Sequence, residues 1–276
     1  MAKTKRQIIE DLKLIDVVIE VLDARIPVSS HNPDLDGFMK NKKKIVLLNK
    51  SDLADEKENQ RWVEHFKNRN TKAVIVDANS GKGIEASIKA VKEIMQDVIE
   101  RNKAKGKVNT NIRVLILGIP NVGKSSYINR ATKKVSAKVG NRPGVTVQKQ
   151  WIKLDKNIEL LDTPGVLWPK FQNEEIALNL AFTGTIKDDI LERTEIAYQL
   201  LKYLFKDYKS NIAERYKIDD IDQINEAQIV DLMEIIGQKR GAIVSGGRVD
   251  LEKVSRIILD DFRTGKLGRI SLEKVK

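Results

Sequence analysis

Gly118-Ile119-Pro120-Asn121-Val122-Gly123-Lys124-Ser125 follows the apolar run Ile112 to Leu117 and opens a helical pattern over Lys124–Lys133. Strand, glycine turn and helix in that order make a phosphate cradle. Gly118 and Gly123 let the backbone wrap an anion, with N–H groups pointing inward at a helix N-terminus. In this pattern Lys124 reaches the β- and γ-phosphates and Ser125 ligates magnesium, with Pro120, Val122 and Ser126 completing the loop. Upstream, Asn49-Lys50-Ser51-Asp52 follows the apolar run Lys44 to Leu48. Downstream, Asp162-Thr163-Pro164-Gly165 follows two short runs that read as a hairpin, Gln150–Leu154 and Ile158–Leu161.

The order of these three motifs is the decisive feature. Asn49–Asp52 reads as a guanine-specificity loop and Asp162–Gly165 as a γ-phosphate sensor. An ordinary GTPase runs phosphate loop, sensor, guanine loop; here the guanine loop comes first, so the chain resembles a circularly permuted GTPase. Chance co-occurrence of all three is on the order of one in a million at average residue usage. Asp52 can accept the ring N–H and the exocyclic amine of guanine, while Asn49 addresses the other edge and Lys50 lies along the base. Adenine lacks those donors and leaves Asp52 unpaired, which disfavours ATP. Asp77-Ala78-Asn79 resembles the Ser-Ala-Lys element, with Asp77 in the serine place and the Ala78 N–H offered to the guanine oxygen. Asp162 is expected to hold magnesium through water, and the Gly165 N–H to meet the γ-phosphate. Thr146, in Arg142-Pro143-Gly144-Val145-Thr146, fits a switch threonine that ligates magnesium only in the GTP state.

Composition narrows the classes. The chain has 276 residues, 41% apolar, enough for a substantial core in one large or two ordinary domains. It has no cysteine, which excludes disulfides, thiol catalysis and zinc–thiolate sites. Apolar runs are only strand-length and Met1 to Arg6 leads into a charged stretch, so a cytoplasmic protein without a membrane span is expected. The net charge of +11 is uneven: residues 1–166 balance at +12 and 167–276 at −1. Such a chain attracts polyanions, RNA among them, though a solvated lysine surface explains the charge equally well.

Apolar runs at Asp16–Leu22, Lys44–Leu48, Ala73–Val76 and Ile112–Leu117 alternate with helical patterns at Glu56–Asn68 and Ile84–Lys103. Serial strand–loop–helix units predict a mostly parallel sheet with ligand loops at the carboxyl ends of its strands. The polar, basic Arg101–Asn111 stretch reads as the linker that a permuted chain needs across its old termini. From about Gln172 the strand signal stops, and Glu174–Phe182, Asp188–Phe205, Asp222–Gly237 and Asp250–Arg263 read as helices. The expected organisation is an α/β permuted P-loop GTPase domain over 1–171 and a small all-helical domain over 172–276.

Further stretches carry a more specific resemblance. Leu22–Pro27 (with Asp23, Ala24 and Arg25), Ser29-Ser30, Gln150-Trp151, Gly165–Phe171, Thr183–Lys187, Lys239–Gly241 and Arg263–Ser271 are similar to the ribosome biogenesis GTPase A family, across essentially the whole chain. That resemblance implies GTP and GDP as nucleotides and magnesium as cofactor. It also implies late assembly of the large ribosomal subunit, contact with its ribosomal RNA, and release after hydrolysis. Val166 stands where Ras-like enzymes place a water-orienting glutamine, and an aliphatic side chain cannot orient water. Family members are thought to use an N-terminal histidine instead, in a segment ending Gly-His before Met-Ala-Lys, the point where this sequence starts. Neither His31 nor His65 matches it, so an alternative is a GTP-gated binding switch with negligible hydrolysis. Asn121 resembles the asparagine that holds potassium in related GTPases, which would place Asn121, Lys124, Thr146 and Gly165 around the transferring phosphate. Lys42–Lys44, Lys103, Lys105, Lys107, Lys133-Lys134, Lys239, Arg240, Arg248, Arg256, Arg263 and Arg269 form an expected RNA face, and a monomer off the ribosome is expected.

Overall fold

The computed structural model describes residues 9–33, 36–39, 42–106, 111–132, 151–162, 173–186 and 192–275. The chain divides into two compact units: Met1–Lys170 with Glu273–Lys276, and Phe171–Leu272.

The first unit is built on β1 (Val17–Asp23), α1 (Asp36–Met39), β2 (Lys43–Asn49), α2 (Glu56–Asn68), β3 (Lys72–Ile75), α3 (Ile84–Ile94), α4 (Gln96–Ala104), β4 (Ile112–Leu117), α5 (Lys124–Ala131), β5 (Trp151–Asp155) and β6 (Ile158–Asp162). The strands lie in the order β3-β2-β1-β4-β6-β5. All neighbours are parallel except β5, which pairs antiparallel with β6. The continuous Val, Ile and Leu runs follow from this: a parallel strand covered on both faces has no solvent side to make polar. Every residue of β1 is buried, including Glu20, whose charge is met by His31 and Lys44.

The parallel register carries Asp23 opposite Asn49, and Ile116 opposite Asp162. The loops after β1, β2, β3 and β4 therefore open on one edge of the sheet, where ligands bind in open α/β folds. Sequence neighbours do not make this edge: β1 and β4 are adjacent although about a hundred residues of chain separate them.

Two expectations about helices are revised. The single helix over Ile84–Lys103 is two, broken at Met95, whose φ of −100° and ψ of 2° leave the helical range. The second of them runs through Ala104, so the first residues of the expected linker are helical; residues 107–110 lie outside the described residues.

In the second unit the described helices are α6 (Glu174–Phe182), α7 (Arg193–Asp207), α8 (Lys209–Tyr216), α9 (Ile229–Lys239) and α10 (Leu251–Arg263). The helix Lys209–Tyr216 is an addition to the expected set, and the pattern over Asp222–Gly237 resolves into two 3-10 turns followed by α9. Asp250 caps α10 by accepting the Lys253 N–H at 3.0 Å, and Val254, Ile258 and Phe262 face the core. Arg215 forks onto the buried Asp261 with two bonds of 2.9 Å, joining α8 to α10.

The last described residues belong to the first unit, whereas the expected boundary gave them to the helical domain. The Glu273 carboxylate accepts the N–H groups of Val28 at 2.6 Å and Ser29 at 2.9 Å, and the Ser29 hydroxyl. The Glu273 N–H donates to the Arg25 carbonyl, and Trp62 Nε1 donates to the Glu273 carbonyl. Val275 packs beside Trp62, Val63 and Phe66. The tail thus backs the loop that follows β1. Replacing Glu273 with Ala is expected to cost about 1–2 kcal/mol through the lost charge-assisted bonds and to lower Tm by a few degrees; an unchanged thermal midpoint would show that the Glu273 carboxylate contributes nothing to this unit.

Candidate functional site

The phosphate-loop residues sit between the buried end of β4 and the start of α5. Asn121 and Gly123 both have positive φ, 64° and 88°, the alternation that turns successive N–H groups into a concave anion nest. Gly123 is obligatory on space as well as conformation: a Cβ there would lie 2.3 Å from Asn49 Nδ2. Gly118 is tight too, since a Cβ would meet the Val21 carbonyl and Val122 at 3.0 Å. Lys124 is buried at the first turn of α5, Ser125 and Ser126 are half-buried, and Asn121 is exposed.

Asn49, the last residue of β2, is buried and joins two other loops. Its Nδ2 donates to the Val122 carbonyl at 2.7 Å, and its Oδ1 accepts the Ala78 N–H at 3.0 Å. The sequence reading has Asn49 address the base; in the structure its amide braces these two loops with one bond at each end, which uses one of its two N–H donors and one of its two acceptor positions. Lys50 has φ of 57°, and its ammonium lies 3.0 Å from Asp23 Oδ2. Ser51 is buried, its N–H donating to the Val76 carbonyl. Asp52 is exposed beside this frame. Partial burial, and then the neighbouring Asp77 charge, push its carboxyl pKa up.

The loop after β3 is held by its own side chains. Asp77 Oδ1 accepts the Asn79 N–H at 2.9 Å and the Ser80 N–H at 3.3 Å, the Asx turn that aspartate can make in place of the expected serine. Burial works against the Asp77 charge, but bonds from Ser80 and Asn79 hold its pKa below the ordinary carboxylate value. Gly83 closes the loop with φ of 83°, where a Cβ would lie 2.1 Å from the Ile75 carbonyl. Arg130 Nη2 donates to the Ser80 carbonyl at 2.6 Å, tying α5 to the same loop. Beneath it, Tyr127 and Ser87 share a buried hydrogen bond of 2.8 Å, and burial pushes the Tyr127 phenol up to about 12.

Asn49, Lys50, Asp52, Asp77, Ala78, Asn79 and the 118–126 loop are thus on one edge of one sheet. Asp162 ends β6 on that edge. Thr146 and Gly165 lie outside the described residues, as do Val166, Lys107 and Lys133-Lys134. Asp23 and Arg25, in the Leu22–Pro27 stretch, are not among the residues that the three motifs assign to the site. Asp23 reaches Lys50 of the guanine loop directly, and Arg25 reaches it through Asp23.

The expected RNA face is cut back. Lys42 donates to the Ile15 carbonyl at 2.8 Å, Lys43 to the Ile94 carbonyl at 2.5 Å and to Asp97, and Lys44 pairs with Glu20 at 2.6 Å. Arg263 donates to the Ala181 and Phe182 carbonyls, and Arg240 to the Arg215 carbonyl while its guanidinium lies over Tyr216. These five cations each have a partner within the protein. Lys103, Lys105, Lys239, Arg248 and Arg256 are exposed.

Both histidines are also committed. His31 Nδ1 meets Glu20 at 2.7 Å and Nε2 meets Asp36 at 2.9 Å. His65 lies edge-on to Trp62 on α2. Among the described residues no cluster of His, Asp and Glu could hold a metal by itself, and no helix is long and apolar enough to cross a membrane.

A family described as 50S ribosome-binding GTPase matches residues 113–236. Ribosome biogenesis GTPase A from Bacillus pumilus is 45% identical, over 99% of this chain and 96% of the relative. The protein of that name from Thermotoga maritima is 31% identical, over 99% of this chain and 91% of the relative. Among solved structures, GNP-bound YlqF from T. maritima superposes with a TM-score of 0.66 at 29% identity, over 99% of this chain and 98% of that one.

The His31 bridge gives a pH prediction. Burial opposes its charge, but the Glu20 carboxylate, followed by Asp36, outweighs burial and raises its pKa above the ordinary value. A raised native pKa contributes stability that is fully present below the unfolded value of about 6.5 and is lost as pH rises through the native one. Wild type should therefore exceed His31→Gln in unfolding free energy by more at pH 6 than at pH 9. An equal difference at both would show that His31 is not charged in the bridge.

Proposed function

Since this chain belongs to the ribosome biogenesis GTPase A family, we propose that it runs its GTPase cycle on the maturing large ribosomal subunit, touching ribosomal RNA while GTP is bound. The chain is a GTPase of large-subunit assembly, binding GTP and GDP with magnesium. The observation that carries the site reading is the Asn49 brace, which holds the guanine loop, the phosphate loop and the 77–79 turn at fixed separations.

In this reading Asp52 accepts two donors of guanine, Lys50 lies along the base and the Ala78 N–H faces the guanine oxygen. The loop from Pro120 to Ser126 cradles the phosphates, with Lys124 placing its charge at the β- and γ-phosphates. Ser125, Asp162 and Thr146 would hold a magnesium ion, and it would neutralise charge developing on the phosphates. Asn121, exposed and with positive φ at the nest, would hold a potassium ion. Gly165 and Thr146 would order around the γ-phosphate, biasing the helical domain that follows in the chain. We assign 1–170 with 273–276 to the permuted GTPase domain and 171–272 mainly to ribosome contact, the protein being cytoplasmic and monomeric off the ribosome. RNA contact falls to the exposed Lys103, Lys105, Lys239, Arg248, Arg256 and Arg269, and to backbone phosphates rather than bases.

A second reading keeps the site and makes GTP chiefly a conformational ligand. It is favoured by His31 and His65 being engaged elsewhere and by Val166 in the water-orienting position.

Steady-state GTP turnover with and without large ribosomal subunits separates the two. The first reading predicts at least a tenfold rise over a slow unassisted rate of roughly 10⁻⁴–10⁻³ s⁻¹, and a lower rate when sodium replaces potassium. GTP-dependent subunit binding with no rise in turnover would establish the second. Equal rates in the two salts would remove potassium from the account of Asn121.

A further inference from the structure

The loop after β1 carries an ion cluster that the nucleotide reading does not use. Asp23 and Arg25 are both buried, their side chains 3% and 1% exposed. Arg25 Nε donates to Asp23 Oδ1 at 3.0 Å and Nη2 to Oδ2 at 2.8 Å, a fork that fixes the plane of the carboxylate. The Arg25 N–H adds a third bond to Oδ1 at 3.1 Å. That leaves one direction on Oδ2, and Lys50 of the guanine loop occupies it at 3.0 Å.

The backbone reinforces the same link. Asp23 pairs with Asn49 in the β1–β2 register, and the Ala24 N–H donates to the Asn49 carbonyl at 2.8 Å. Lys50 itself sits at φ of 57°, a conformation that costs a side-chain-bearing residue about 1–2 kcal/mol. Something must hold it there, because the next turn of chain aims Asp52. A buried carboxylate already oriented by a guanidinium fork is a rigid holder. Although burial opposes its charge, the Arg25 and Lys50 cations keep Asp23 ionised far below the ordinary carboxylate range.

We propose that Asp23, oriented by Arg25, is a positioning residue for guanine specificity: it fixes Lys50 in its left-handed conformation and so sets the aim of Asp52. The inference rests on the reading that Asp52 receives the donors of guanine. In this proposal Asp23 acts through Lys50 and the backbone of residues 50–52.

Inosine diphosphate, which lacks the exocyclic amine, tests this. The ratio of its dissociation constant to that of GDP measures how well Asp52 meets that amine. A loss of general structure weakens both ligands together and leaves the ratio alone. Asp23→Asn is expected to lower the ratio roughly tenfold. Lys50→Met, which leaves the Asp23–Arg25 pair intact, should lower it by a similar factor and serves if the buried substitution prevents folding. The double variant should fall no further than either single one, since both remove the same link. An unchanged ratio in Lys50→Met, or in a folded Asp23→Asn, would overturn the proposal. Asp52→Ala separates the two levels of the argument. If it abolishes the preference while the other variants keep it, the positioning role alone fails. If it too keeps the preference, the guanine reading fails and the proposal with it.

Discussion

A single carboxamide ties the permuted site together. Asn49 ends a central strand, and its amide reaches the Val122 carbonyl on one side and the Ala78 N–H on the other. Each contact spans loops far apart in sequence, and each is buried, so leaving either partner unpaired would cost on the order of 1–3 kcal/mol. The glycine at 123 exists to make room for this amide, since a Cβ there would overlap it. The tight phosphate turn, the guanine loop and the 77–79 turn are therefore one rigid object.

That object explains why permutation is tolerated. The site depends on which strands are neighbours, and β4 inserts beside β1 although the chain reaches it late. Parallel register brings the strand ends level, and loop chemistry does the rest. The back of the β1 loop is held in turn by Glu273 and the tail beside Trp62. The guanine side of the site is thus braced from the sheet, from the phosphate loop and from the end of the chain.

Much of this was legible in the sequence, for physical reasons. Buried parallel strands must be apolar throughout, so β1, β2 and β4 stand out as runs, and the glycine positions of the phosphate loop announce a conformation few other residues can adopt. What was not legible depended on tertiary partners. Lys42, Lys43 and Lys44 read as a basic cluster, yet each finds a separate acceptor elsewhere in the first unit. Arg263 reads as an RNA contact and instead serves two carbonyls at the end of α6. The break at Met95 leaves no proline or glycine to mark it. Asp23 and Arg25 are ordinary charged residues until burial and the register opposite Asn49 give them a purpose.

The central claim is that these loops compose one guanine-nucleotide site across a permuted chain. Competition against a fluorescent GDP analogue tests it most directly, with GTP and ATP as competitors at equal concentrations. The account predicts displacement by GTP at concentrations at least a hundredfold below those needed for ATP, the order of discrimination expected when a site that receives the donors of guanine is left unpaired. Equal displacement by the two nucleotides would contradict it.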